Sequence, residues 1–154
     1  MRRGNQKGLT LVELIVAFTI MLTLTAMAVP LARSKVRVER ERELRAALDD
    51  VRHAIDQYHD LNMQGYFGQV KQGTDWYPET LDMLVEGVKR NDANGTKMKF
   101  LRRIPIDPLT GKAEWGMRSD HDDPKSESWG GDNVFDIYSK SMDKGSDGTP
   151  YSEW

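Results

Sequence analysis

One long apolar segment near the N-terminus constrains the fold of this 154-residue chain more than any other feature. Residues 9–32 contain a single charged side chain, that of Glu13, and the basic residues Arg2, Arg3 and Lys7 precede them. At a rise of about 1.5 Å per residue, a helix over this segment would cross a hydrocarbon layer of about 30 Å. The sequence therefore predicts a transmembrane helix at residues 9–32.

Three fates of this segment are compatible with its flanks. A secretory signal would be removed at Ala26-Met27-Ala28, a plain anchor would be kept whole, and a short leader would be cut off just before the apolar run. Glu13 favours the third, because a carboxylate inside a bilayer costs roughly 3 kcal/mol and needs a partner. Cleavage after Gly8 would create a new amine on Leu9, four residues before Glu13 on the same helical face, where the two charges can neutralise each other.

The string Lys-Gly-Leu-Thr-Leu-Val-Glu-Leu at residues 7–14 resembles the leader junction of the type IV pilin and pseudopilin superfamily. The resemblance implies that a prepilin peptidase cuts between Gly8 and Leu9 on the cytoplasmic face and that the new amine of Leu9 is methylated. Most members have Phe where this chain has Leu9. The implied domains are a leader at 1–8, a hydrophobic transmembrane and polymerisation helix at 9–32, and a periplasmic globular domain at 33–154.

The helical pattern continues beyond the apolar segment. Apolar residues recur every three or four positions, at Leu44, Leu48, Val51, Ile55 and Tyr58, widened by Ala47, Ala54 and Leu61. Charged residues fill the other face, so this half is predicted to be amphipathic, within one helix from Leu9 to about Leu61. Pro30 removes a backbone donor and is expected to kink or loosen the helix. The resemblance implies that the helix melts near Pro30 on assembly.

Shorter elements are predicted in the rest of the chain. Residues 78–88 are expected to form a short helix with Pro78 in its first turn, and residues 89–99 a flexible loop. Strands are expected at Ala113–Met117 and Val134–Ser139. The predicted fold class is α+β, with a long N-terminal helix, transmembrane in its first half, packed on a small antiparallel β-sheet in a pilin-like arrangement. The side chains expected to point inward from the short helix are Leu81, Leu84, Val85 and Val88.

Three patches narrow the resemblance to one branch of the superfamily. Tyr77-Pro78, Leu101–Pro108 and Phe135–Ser139 follow one another in an order similar to that of the major pseudopilin of type II secretion systems. The resemblance implies a subunit that polymerises with copies of itself and works with minor pseudopilins and an inner-membrane assembly platform. Residues 119–133 and the tail after Asp143 depart from the usual pattern.

Composition and motifs argue against several other classes. The formal net charge of -2 disfavours nucleic-acid binding, which needs a basic surplus. The chain has no cysteine, which removes disulfides, thiolate nucleophiles and Cys-based zinc sites. His53 and His59 are six residues apart and do not share a helix face, and His121 is interpreted as part of a solvated acidic loop. With no phosphate loop or nucleophile elbow in the sequence, we expect no enzymatic activity.

Residues 139–149 concentrate oxygen donors in a glycine-containing loop, and such donors suit calcium. An ordinary Asp-Gly turn is the alternative. The resemblance implies a calcium site in this loop, with Asp143 as the first side-chain ligand and the backbone carbonyl of Lys140 as another donor. Ser146 and Asp147 would replace the later ligand pair.

Together these features predict a single-pass protein of the bacterial inner membrane with a periplasmic C-terminal domain. By resemblance, it would be assembled into a periplasmic pseudopilus that drives export of folded proteins across the outer membrane. Two alternatives stay open. One is a surface type IV pilin used for adhesion or motility, against which the missing cysteine pair weighs mildly. The other is a monomeric, membrane-tethered periplasmic binding module, which filament formation would exclude.

Overall fold

The computed structural model describes residues 10–69, 71–93 and 95–154, apart from the side chains of residues 27–33. The chain divides into two units, Met1–Glu39 and Arg40–Trp154. Its longest element is helix α1 at Leu11–Met63, which confirms the predicted long helix. The helix continues through position 30. Among the described residues, no helix combines the length and the apolar character that a membrane crossing requires.

The part of α1 that belongs to the second unit buries the predicted stripe. Leu44, Val51 and Ile55 are fully buried, and the other buried members of the stripe are Leu48, Tyr58, Ala47 and Ala54. Leu61, which was expected to widen the stripe, is half-buried. Asn62 takes the buried position, and its side-chain amide donates a hydrogen bond to the carbonyl of Trp76 at 2.9 Å.

The predicted helix over 78–88 is shorter than expected. Helix α2 covers Leu81–Glu86 and buries Leu81 and Leu84, so Pro78 lies before its first turn. Gly87 ends the helix at φ +85°, and a Cβ there would come within 2.9 Å of the carbonyl of Met98. The chain then enters a small hairpin instead of a flexible loop: strand β1 at Val88–Lys89 pairs antiparallel with strand β2 at Lys97–Met98.

Both predicted strands are present and shorter than expected, and the first is also displaced by one residue beyond its predicted end. Strand β3 at Gly116–Arg118 pairs antiparallel with strand β4 at Asp136–Tyr138, with Gly116 opposite Tyr138. The described residues thus form two two-stranded sheets where one sheet was predicted. A short 3₁₀ helix, η1, follows at Tyr151–Glu153.

The hydrophobic core of the second unit lies between the α1 stripe and these short elements. Trp115, Val134, Ile137 and Tyr151 are buried against it. The indole N–H of Trp115 is also satisfied, since it donates to the carbonyl of Pro105 at 3.0 Å. The predicted α+β class is therefore confirmed, with the core supplied chiefly by one face of α1.

Candidate functional site

The start of α1 is capped by its own sequence. The backbone amide of Glu13 donates to the hydroxyl oxygen of Thr10 at 3.3 Å, and the amide of Leu14 donates to the carbonyl of Thr10 at 3.1 Å. A threonine with a glutamate three residues later is the pattern of a capping box, a signal that the sequence analysis did not use. The predicted processing residues Gly8 and Leu9 lie outside the described residues, as does the side chain of Pro30.

The first described turns of α1 present apolar side chains on every face. All residues from Thr10 to Ala26 are exposed, including Leu11 at 74% and Phe18 at 59%. Exposed apolar surface of this extent marks a site of contact with a membrane or another protein. Within the isolated chain, this segment has no apolar cover over its described length.

The hydroxyl groups of this apolar segment are satisfied by its own backbone. Thr19 donates to the carbonyl of Ile15 at 2.8 Å, and Thr25 donates to the carbonyl of Met21 at 2.7 Å. Thr23 donates in the same way to the carbonyl of Ile20 at 2.8 Å. Such internal bonds suit an apolar environment, where no water can replace them. Glu13 is the one residue of this segment whose side chain is charged.

The third of the sequence patches that carry the closer resemblance contacts each of the other two. The ring of Tyr77 packs edge-on against that of Phe135, and the amide of Val134, the residue just before the third patch, donates to the carbonyl of Pro78 at 2.8 Å. The hydroxyl of Ser139 donates to Oδ2 of Asp107 at 2.7 Å. The patches at 77–78, 101–108 and 135–139 therefore form one connected region.

The residues of the predicted calcium site take separate partners. Ser146 donates its amide to Oε1 of Glu41 at 2.8 Å and its hydroxyl to Oε2 at 2.7 Å. Oδ1 of Asp147 accepts the amide of Thr149 at 2.9 Å, as in an Asp-Gly turn. The main-chain oxygen of Asp143 accepts the amide of Tyr151 at 3.2 Å. Lys140 lines a surface cleft beside β4.

Residues 3–29 match the family model of the prokaryotic N-terminal methylation motif. This chain has a type IV pilin-like N-terminus. The motif implies processing by a prepilin peptidase, anchoring in a membrane, and pilus-type assembly with other pilin subunits. Type IV pilin-like proteins with this motif are structural subunits and not enzymes, in agreement with the prediction for this chain. No curated protein and no solved structure gave a significant match.

Glu41 is a residue that the sequence analysis missed. Its side chain is buried at 6% exposure, and besides Ser146 it accepts a hydrogen bond from the hydroxyl of Tyr151 at 3.0 Å. A signal was present in the sequence: Glu41 lies three residues before Leu44 and so extends the stepping of the apolar stripe by one position. An acidic residue at a core position predicts a buried carboxylate with dedicated donors.

A second missed feature is the group formed by Asp75, Asp120 and His121, whose ligand atoms lie within 4.8 Å of one another. Nδ1 of His121 is 2.5 Å from Oδ1 of Asp120, and this hydrogen bond is the main cause that raises the pKa of His121 above 6.5. Burial raises the pKa of Asp120, but hydrogen bonds from Asn133 and His121 outweigh it, so that this pKa is lowered overall. The group is a hydrogen-bonded loop contact on the surface.

Proposed function

We propose that this chain is the major structural subunit of a type II secretion pseudopilus. In this role it polymerises with copies of itself in the periplasm and drives export of folded proteins across the outer membrane. The minor pseudopilins, the inner-membrane assembly platform and the prepilin peptidase are its partners. The observation that carries the proposal is the apolar start of α1, which is exposed in the isolated chain and lies within the methylation motif.

The role of Glu13 follows from the chemistry of this segment. Its threonine hydroxyls are satisfied internally, so Glu13 is the group that still needs a partner in an apolar bundle. Cleavage between Gly8 and Leu9 supplies an amine four residues away, on the same chain or on a neighbouring subunit. Pairing of these charges would favour a subunit packed in register over one dispersed in lipid.

The order and contact of the three patches support the pseudopilin branch over a surface pilin. The patches at 77–78, 101–108 and 135–139 resemble those of the major pseudopilin. In this fold the third patch contacts the first through the rings of Tyr77 and Phe135 and the second through a hydrogen bond from Ser139 to Asp107. Patches that follow the same order along the chain as in the pseudopilin, and that are also connected by contacts in the fold, indicate a common structural unit. The surface type IV pilin is the second candidate, because the methylation motif is common to both branches.

Filament formation in the native host tests the assembly role. We expect Glu13→Leu to stay membrane-inserted but to form few filaments in electron micrographs, because the newly formed amine loses its partner. Thr19→Val is the matched control, since it removes a polar group from the same helix whose hydroxyl bonds only its own backbone, to Ile15 at 2.8 Å. Normal filaments from Glu13→Leu would contradict the proposed role of Glu13.

Deletion of the gene separates the pseudopilus from the surface pilus. Loss of folded proteins from the culture medium, with surface pili and motility retained, is the expected result. Loss of surface pili with normal protein secretion would support the surface pilin instead. A protein that stays monomeric in the membrane of the wild-type host would favour the tethered binding module.

A further inference from the structure

We propose that Glu41 fastens the loop between β4 and η1 to helix α1 without a metal ion, in place of the calcium site that the family resemblance implies. The proposal concerns the fold of the single subunit, so it holds for a pseudopilus and for a surface pilus alike.

The buried carboxylate of Glu41 is the centre of a hydrogen-bonded cluster. Oε1 accepts the amide of Ser146 at 2.8 Å and the hydroxyl of Tyr151 at 3.0 Å, while Oε2 accepts the hydroxyl of Ser146 at 2.7 Å. These contacts join residues more than one hundred positions apart in the sequence. Glu41 and Tyr151 are 6% and 2% exposed, whereas Ser146 is exposed, so the loop shields the carboxylate from water on one side of the contact. Hydrogen bonds to an ionised acceptor are stronger than neutral ones, which suits a fastening role.

The loop is also closed by its own backbone. The amide of Gly145 donates to the carbonyl of Thr149 at 2.7 Å, and the amide of Gly148 donates to the carbonyl of Gly145 at 3.0 Å. Lys144 and Pro150 form an isolated antiparallel bridge. The ends of the loop are therefore brought together by protein contacts, which is the task that a bound calcium ion would otherwise perform.

The donor set of this loop does not suit calcium. Calcium takes six to eight oxygens, chiefly carboxylates and carbonyls. Ser146 is directed at Glu41, and one oxygen of Asp147 is held by the amide of Thr149. The charges of Asp143 and Asp147 are matched in the loop by those of Lys140 and Lys144, so the loop's own side chains carry no net negative charge. The added carboxylate, that of Glu41, is already held by three hydrogen bonds.

The positions at which acidic and histidine side chains cluster also argue against a calcium site in this loop. Among the described residues, three or more acidic or histidine side chains with ligand atoms close together occur at Asp75, Asp120 and His121. That group is elsewhere on the unit and includes neither Asp143 nor Asp147. The carboxylate that closes the loop is instead that of Glu41, which is supplied by helix α1.

Hydrogen exchange of the full chain in detergent micelles tests the proposal. The readout is the exchange rate of amides in the peptide covering residues 140–154, measured with a chelator and with millimolar calcium. We expect strong protection in the chelator and a change of less than threefold on adding calcium. Glu41→Ala should raise the exchange rate of the Ser146 amide roughly tenfold or more, because a charged acceptor is lost. Glu43→Ala, an exposed glutamate on the same helix, is the matched control and should leave the rate unchanged.

Two milder variants keep the test decisive if Glu41→Ala does not fold. Tyr151→Phe and Ser146→Ala each remove one hydroxyl donor to Glu41 and should raise the exchange of the loop with the fold intact. Calcium that slows exchange more than threefold in the wild type would overturn the proposal and support the ion site, above all if Asp143→Ala abolishes the slowing. Unchanged exchange in Glu41→Ala, or in both hydroxyl variants, would also overturn it.

Discussion

The buried hydrogen bond between Ser139 and Asp107 is the contact on which a stability prediction can be worked most fully. Asp107 is fully buried; Oδ2 accepts the hydroxyl of Ser139 at 2.7 Å, and Oδ1 accepts the amide of Leu109 at 2.8 Å. The Ser139 oxygen also accepts the amide of Ser141 at 3.1 Å. Because neither side chain can turn to water, loss of one leaves the other without its partner.

The expected magnitudes follow from the number of bonds lost. A hydrogen bond to an ionised group contributes about 1.5–3 kcal/mol, so Ser139→Ala should lower the free energy of unfolding by about 2 kcal/mol. Asp107→Ala removes two such bonds and should cost about 3–5 kcal/mol. The double variant should cost less than the sum, with a coupling energy of about 1.5–3 kcal/mol.

Urea unfolding of the full chain in detergent micelles, followed by near-ultraviolet circular dichroism, measures these values. Asp50→Ala is the control, since its side chain is exposed on α1, and it should change the free energy of unfolding by less than about 0.5 kcal/mol. Additive effects of Ser139→Ala and Asp107→Ala would refute the reasoning, as would a Ser139→Ala variant as stable as the wild type.

Two further predictions follow from the surface and from the sheet. The pKa of His121 should lie above 6.5 because of its hydrogen bond to Asp120, so its protonated form stabilises the fold below about pH 6.5 and that contribution is lost as pH rises through the folded pKa. In an NMR titration, Asp120→Asn should return this pKa towards 6.5, and a wild-type value at or below 6.5 would contradict the proposed contact. Gly116→Ala should lower the free energy of unfolding by about 1–3 kcal/mol, because its Cβ would overlap the ring of Tyr138 across the β3–β4 pair. An unchanged urea midpoint would show that the ring moves aside freely.

The sequence predicted the parts of the fold that depend on local periodicity. The stripe from Leu44 to Tyr58 is buried as expected because helical spacing places those side chains on one face whatever they pack against. The strands near Gly116 and Ile137 were located from short apolar runs, but their lengths were not. Strands of two or three residues carry too little alternation to set their ends.

The features that the sequence predicted wrongly or missed depend on contacts between residues that are distant in the sequence. Val88 was assigned to a helix because its spacing fits one, whereas the helix ends at Gly87, with φ +85°, and Val88 pairs with Met98 in a hairpin. The partners of Glu41 lie more than one hundred residues away, so its position on the stripe suggests burial but not what it binds. Sequence spacing does not identify these hydrogen-bond donors, because the conformation of a distant loop determines which donors lie next to the carboxylate.

The mature N-terminus is the measurement that tests the central claim most directly. Mass spectrometry of the protein purified from its native membrane should find a chain that starts at Leu9 with a methylated amine. Removal of residues 1–8 would leave the apolar segment and Glu13 on the mature subunit, as assembly requires. A chain that starts at Val29, after Ala26-Met27-Ala28, would show that the segment is a discarded signal peptide and would contradict the pilin-like account.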